Sequence, residues 1–152
     1  MIIHVFVQNE AGSRQKNYHD EKTLAFRYSH AVSHAYPLPY GFIINTDADD
    51  GCNVDCFIIT DRILRSGQIV VCEPIGLMEQ IEDGIPDHNV LARPVGEHGV
   101  VTAAVEATLT EHVVECFRDV TGKKVRVGRF VGIEPAEAHI WAHFNLPHPL
   151  LR

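Results

Sequence analysis

The sequence lacks any spacing that would tie its cysteines together. Cys52, Cys56, Cys72 and Cys116 form no CxxC pair. Neither a disulfide framework nor a closed zinc site is expected, and the thiols read as reduced, as in a cytoplasmic protein. Long apolar runs are also missing. The apolar stretches are strand-sized, well short of the roughly 20 residues that span a bilayer. The segment MIIHVFVQNE has no basic region followed by a long apolar stretch, so no signal peptide is expected. Positive charge is scarce: 13 Lys and Arg stand against 20 Asp and Glu, for a net charge of −7. That balance disfavours nucleic acid and anionic membrane as partners. No repeat, low-complexity tract or linker interrupts the chain. Its 152 residues suffice for one domain with its own core and are too few for two.

Histidine, by contrast, is abundant, at ten residues. His30 and His34 are four positions apart, as are His139 and His143. On helices each pair would share a face. No HExxH pattern accompanies them, so surface or interface positions are expected. Their titration near neutral pH would make an assembly pH-sensitive.

The first half reads as β structure. Ile2–Val7, Thr23–Tyr28, Phe42–Ile44, Val54–Thr60, Gln68–Glu73 and Asn89–Val95 are apolar or β-branched runs, and Lys124–Val127 is a further short one. Polar turns such as His19-Asp20-Glu21-Lys22 separate them, and Pro37, Pro39 and Gly41 break any helix. Short strands between Gly, Pro and Asp turns predict a small barrel. The last third switches period. Leu109, Val113, Phe117 and Val120 mark one helix face, with Thr108 and Glu111 as a capping box and Gly122 as the C-terminal cap. A second helix is expected from Glu134-Pro135 to about His143, with Ala138, Trp141 and Ala142 inward. The fold class is therefore α+β: a barrel with two flanking C-terminal helices.

The run Tyr40–Cys56 carries the chemistry. Asp47, Asp49, Asp50 and Asp55 cluster around a glycine turn beside a strand. Clustered carboxylates at a strand mouth fit a hard cation such as Mg²⁺, and they equally fit a solvated turn.

The order YPLPYGFI (36–43), NTDADDGCNVD (45–55), GQIVVCEPIGLME (67–79) and EDGIPDHNVLARP (82–94) resembles soluble family I inorganic pyrophosphatases. Those enzymes carry Tyr-Pro-x-x-Tyr-Gly-Phe-Ile-Pro, then Asp-Gly-Asp-Pro-x-Asp, then an Arg-Pro-Ile-Gly strand and Asp-x-x-x-x-Asp-x-Lys. The resemblance implies a single pyrophosphatase-like domain over 1–152, built on an OB-like five-stranded barrel. It implies Mg²⁺-dependent hydrolysis of pyrophosphate, or of another phosphate-bearing small molecule, by a homo-oligomer, hexameric in bacteria. Carried over position by position, Asp50, Asp55, Glu82 and Asp87 are the expected metal ligands. Asp50, Asp55 and Tyr40 are the expected catalytic residues. Lys16, Arg27 (with one gap), Tyr40 and Arg118 are the expected phosphate contacts.

The departures bear on activity. The middle signature aspartate is Cys52, and the proline after it is Asn53. The lysine of the later motif is Asn89, and the tyrosine near the end of the first helix is Phe117. The glutamate of a Lys-Tyr-Glu stretch is Tyr18, and an early glutamate falls near Val7, with Glu10 as the substitute. A neutral thiol is a poor ligand for hard Mg²⁺ and a poor proton acceptor. Three readings follow: a weakened or retuned Mg²⁺-dependent hydrolase, a catalytically silent phosphate-binding or structural homologue, or an enzyme using a softer metal on Cys52, Cys56 and His88.

Overall fold

The computed structural model describes residues 1–118 and 122–145. In chain order its elements are β1 (Ile3–Asn9), β2 (Gln15–His19), β3 (Phe26–Ala31), β4 (Tyr40–Ile43), β5 (Asp55–Ile58), β6 (Ile69–Glu82), β7 (Ile85–Pro86), β8 (Asn89–Pro94), α1 (Ala103–Arg118), β9 (Val125–Val131) and α2 (Ile133–Trp141). Strand β1 buries apolar side chains on both faces. Ile3, Val5 and Val7 enter the main core, while Phe6 turns the other way and stacks on Phe42 at 5.1 Å. It therefore sits where both faces are covered.

Five strands close the barrel. β1 pairs with β4, β4 with β5, β5 with β8, β8 with β6, and β6 returns to β1. Only β5–β8 is parallel; the other pairings are antiparallel. The expected OB-like α+β architecture is what forms. Strand β6 runs for 14 residues, well beyond the Gln68–Glu73 expected from sequence. Its Pro74 lies where the register slips between Pro74 and Gly76, the kind of place where a residue without an N–H is tolerated inside a sheet. The far half of β6 pairs with β7 and β9.

Helix α1 starts at Ala103, five residues before the expected cap at Thr108. Thr102 is the capping residue, its Oγ1 accepting the Val105 N–H at 3.2 Å, and Thr108 lies inside the helix. The inner face is the expected one: Leu109 and Val113 are buried against Phe57, Met78 and Leu91, each worth roughly 1.5–3 kcal/mol of apolar burial. Val120 lies outside the described residues. Helix α2 buries Ala136 and Ile140 in the barrel core. The expectation for its face is corrected here, because Trp141 is 67 % exposed and packs edge-on against Phe144 at 5.1 Å. No described helix is long and apolar enough to cross a membrane.

Strands β2 and β3 form a separate antiparallel hairpin, with β3 starting three residues later than expected. His30 is on β3 rather than a helix, so it does not pair with His34 as helical spacing would have it. His139 and His143 do meet, their rings 4.7 Å apart. His112 is buried, not a surface residue.

The acidic loop between β4 and β5 is tied to the barrel by Thr46. Its buried Oγ1 donates to the Ile43 carbonyl at 2.6 Å and accepts the Val54 N–H at 2.9 Å. Valine has the same shape and can do neither. Thr46→Val is expected to cost about 1–3 kcal/mol in urea unfolding, because the buried Val54 N–H loses its partner, while the Ile43 carbonyl keeps the Asn53 Nδ2 donor at 3.1 Å. An unchanged midpoint would contradict this account of the loop.

Candidate active site

The cleft lies where β5 and β8 begin side by side. Asp55 opens β5 and is in parallel register with Asn89, which opens β8. Asp87 precedes β8 by two residues, and Glu82 ends β6. Asp50, on the tight turn with Gly51 at φ +83°, accepts the Cys52 N–H at 2.9 Å. Together with Lys16, Tyr40 and Lys123 these carboxylates line one cavity of about 420 Å³. A smaller cavity of about 40 Å³ shares Asp50, Asp55 and Asp87 and is lined also by His88, His139 and His143. Burial, with help from its histidine neighbours, pushes His139 down to about 4, so that ring is neutral at pH 7.

The electrostatics of the cleft are those of crowded acids. Burial first, and then the field of Glu21, push Asp55 up to about 8, although the Tyr40 phenol donates a hydrogen bond to it. Burial raises Tyr40 well above its ordinary range, so it remains a donor. Asp87 is raised by burial and by its hydrogen bond with Glu82, while Glu82 is lowered chiefly by that same bond. The hydrogen bond between them thus favours a proton on the pair over ionisation of both carboxyls. Glu82 also accepts from Gln80 Nε2 at 3.1 Å and pairs with Lys123 at 3.3 Å. Asn89 donates to Gln80 Oε1 at 2.8 Å, closing a polar chain along the floor.

Six residues expected from the sequence converge here: Lys16, Tyr40, Asp50, Asp55, Glu82 and Asp87. Two do not. Arg27 lies on the hairpin and pairs with Asp20 at 2.9 Å; Arg118 pairs with Glu115 at the end of α1. Neither lines the cleft. The soft-metal set is dispersed as well, with Cys56 packed in the barrel core. Cys52 is exposed, and its thiol is pushed up to about 12 by burial of its sulfur and by Glu21, so it is a neutral thiol near pH 7. All four cysteines are free.

Lys123 in the cleft and Glu21 beside the acidic loop carry no signal in the sequence motifs. Lys123 reaches Glu82 because the Asp83 and Lys124 backbones are joined, Asp83 N–H to Lys124 O at 2.8 Å and Lys124 N–H to Asp83 Oδ1 at 2.8 Å. Glu21 lies against the acidic loop, its Oε1 accepting the Asn53 N–H at 2.9 Å. The polar turn around Glu21 is the one local hint of either.

Residues 5–144 match the family described as inorganic pyrophosphatase. The chain belongs to that family. Among relatives called inorganic pyrophosphatase, the one from Synechocystis is 29 % identical over 143 residues, covering 90 % of this chain and 85 % of its own. The one from Nostoc is 35 % identical over 95 residues, covering 61 % of this chain and 56 % of its own. The crystal structure of the inorganic pyrophosphatase from Thermus thermophilus superposes with a TM-score of 0.83 at 22 % identity, covering 93 % of this chain and 88 % of that one. At that identity the likeness establishes the fold.

The donor set fits the divalent metal on which this family generally depends. Its ligand atoms are hard carboxylate oxygens. Burial among neighbouring acids raises Asp55 and Asp87, and a divalent cation would favour the ionised form of both. Among the described residues no three His, Cys, Asp or Glu side chains close into a ready-made cage. Mg²⁺ does not require one, since it keeps several waters and is held by one or two carboxylates together with substrate phosphates.

Proposed function

We propose that this protein hydrolyses pyrophosphate to phosphate in a Mg²⁺-dependent reaction, more slowly than a family member with the full signature. The observation that carries the reading is the convergence of Asp50, Asp55, Glu82 and Asp87 on one cleft that also holds Lys16 and Lys123. In this reading Asp50, Asp55, Glu82 and Asp87 hold Mg²⁺, which when bound neutralises diphosphate charge and makes a water more acidic. Lys16 and Lys123 bind phosphate oxygens, Lys123 by leaving Glu82. Arg27 and Arg118 join them by exchanging Asp20 and Glu115 for phosphate. Tyr40 directs its proton at Asp55 and orients that carboxylate. The lower rate follows from the neutral thiol at Cys52, the uncharged Asn89 and Phe117, which has no hydroxyl. A cytoplasmic homo-oligomer, hexameric as in bacterial members, is the accompanying expectation and is read by analytical ultracentrifugation.

The test is phosphate release from pyrophosphate at neutral pH with millimolar Mg²⁺. Release that stops with EDTA and returns with Mg²⁺ is the expected result. Release indifferent to EDTA would overturn the metal role. The same three replacements favour a second reading, a silent phosphate-binding protein. Calorimetric binding of pyrophosphate without any release would decide for it.

A further inference from the structure

We infer that the phosphate-bearing molecule this cleft takes is a nucleoside diphosphate in preference to bare pyrophosphate: its phosphates meet the carboxylates and lysines, and its base lies on the apolar wall contributed by α1. This names the substrate class of the reading above and rests on its placement of the phosphates. The cavity lining has two unlike parts. Asp50, Asp55, Glu82 and Asp87 make the acidic part. Val113, Cys116 and Phe117 make the other, a stripe of α1 at i, i+3 and i+4, together with Tyr36, Phe57 and His112. The rings of this wall meet at His112, whose centroid is 4.9 Å from Tyr36 and 6.0 Å from Phe57. Burial lowers His112 to about 4 and raises Cys116, so the wall is uncharged near pH 7. The lysines stand against rings. Lys16 Nζ is 5.3 Å from the centre of the Tyr18 ring, and Lys123 Nζ is 5.7 Å from that of Phe117. A phosphate bound by either lysine therefore has an aromatic ring close by. Tyr18 shares a face of β2 with Lys16 and stacks across the hairpin on Tyr28 at 4.5 Å, and Tyr28 is still 55 % exposed.

Bare pyrophosphate is polar on every side and makes no use of such a wall. A nucleoside carried on one of its phosphates buries that apolar surface and offers a ring for offset stacking. The cavity of about 420 Å³ falls within the roughly 300–1,000 Å³ of sites for drug-sized ligands. The charges agree. An ester on one phosphate removes an ionisable oxygen, so fewer cations are needed. Among the described lining residues the cations are Lys16 and Lys123, and Asn89 at the head of β8 adds none. In hydrolysis, water attacks the terminal phosphorus and the bond from that phosphorus to the bridging oxygen breaks. The nucleoside monophosphate leaves with the bridging oxygen, and inorganic phosphate and a proton are released.

The experiment measures binding of ADP, methyl diphosphate and pyrophosphate by calorimetry with millimolar Mg²⁺, and follows phosphate release from each. Methyl diphosphate is the same kind of ester without the base. Wild type is expected to bind ADP about 5- to 100-fold more tightly than methyl diphosphate, the range of one base–aromatic stack. Phe117→Ala should lose most of that margin while binding methyl diphosphate as wild type does. Phe117→Tyr keeps the ring and should keep the margin. Tyr18→Ala, on the hairpin outside the barrel, should lose part of it. Equal wild-type affinities for ADP and methyl diphosphate would overturn the inference. So would Phe117→Ala and Tyr18→Ala variants that keep the full margin, or that weaken both ligands alike, the mark of a purely structural role. Pyrophosphate cleaved by a protein that does not bind ADP would overturn it while leaving the proposed function standing. ADP held through Phe117, with no phosphate released from any of the three, would overturn the hydrolytic reading and leave the recognition standing.

Discussion

Asp55→Asn is expected to cut phosphate release from pyrophosphate by about 10²–10⁴-fold while making the metal-free protein more stable. Both effects have one cause. Asp55 is half-buried at the head of β5, where Glu21, Asp50 and Glu82 all oppose its ionisation. Asparagine keeps the shape and can still accept from Tyr40, but carries no charge for a cation. The sign of the pH dependence follows. The folded carboxyl titrates near 8 against about 3.8 when unperturbed, so the folded state binds the extra proton. Stability of the metal-free protein is therefore full at the acidic end of that window and is lost as pH rises towards 8. Holding a proton across each pH unit of that window is worth about 1.4 kcal/mol, so complete ionisation costs on the order of a few kcal/mol. Asp87 contributes in the same direction. Melting in EDTA should fall with rising pH for wild type and much less for Asp55→Asn, and saturating Mg²⁺ should flatten the wild-type curve. A wild-type melt independent of pH in EDTA, or a variant with normal phosphate release, would contradict this account.

The barrel is legible in the sequence because its strands are short, apolar and separated by Gly, Pro and Asp. The acids that line the cleft are legible because a family spacing survives around them. What stays hidden depends on contacts distant in sequence. Strands β2 and β3 are mostly polar and lie outside the barrel, so Gln15–His19 offers no apolar alternation to read. Lys123 enters the cleft through the pairing of β6 with β9, which no local pattern encodes. Arg27 and Arg118 occupy roughly the expected chain positions, yet the side-chain direction of each is set by a nearby acid, Asp20 or Glu115. The neutrality of Cys52 follows from its residue type, but the sequence shows that replacement in isolation. The turn that brings Glu21 to it is visible only once Lys22 is seen reaching Asn53. Pro74 reads as the boundary of a strand and is a bulge inside one.

Gly41→Ala is expected to abolish folding, or to destabilise the protein by more than about 4 kcal/mol, the range reserved for changes that break the backbone frame. In the sequence Gly41 reads as a helix breaker beside two prolines. In the fold it is the middle of β4, opposite Val7, at the point where β1 bulges between Val7 and Asn9. A Cβ there would sit 1.8 Å from the Phe6 carbonyl oxygen and 2.9 Å from its carbon. These are backbone atoms of a paired strand, so no rotamer change relieves the clash, and β1 would have to move away from β4. That opens the barrel at the β1–β4 seam, and with it displaces the strand that carries Tyr40 towards Asp55. A glycine where two backbones nearly touch is the usual sign of such a close approach. Gly51, at the acidic turn, is a contrast: it has open space around its would-be Cβ but a φ of +83°. Gly51→Ala should therefore cost only about 1–2 kcal/mol, the penalty of a left-handed residue. Urea unfolding of the two variants separates these origins. If Gly41→Ala unfolds at the same urea concentration as Gly51→Ala, the β1–β4 seam is looser than its geometry indicates, and barrel closure does not depend on that approach.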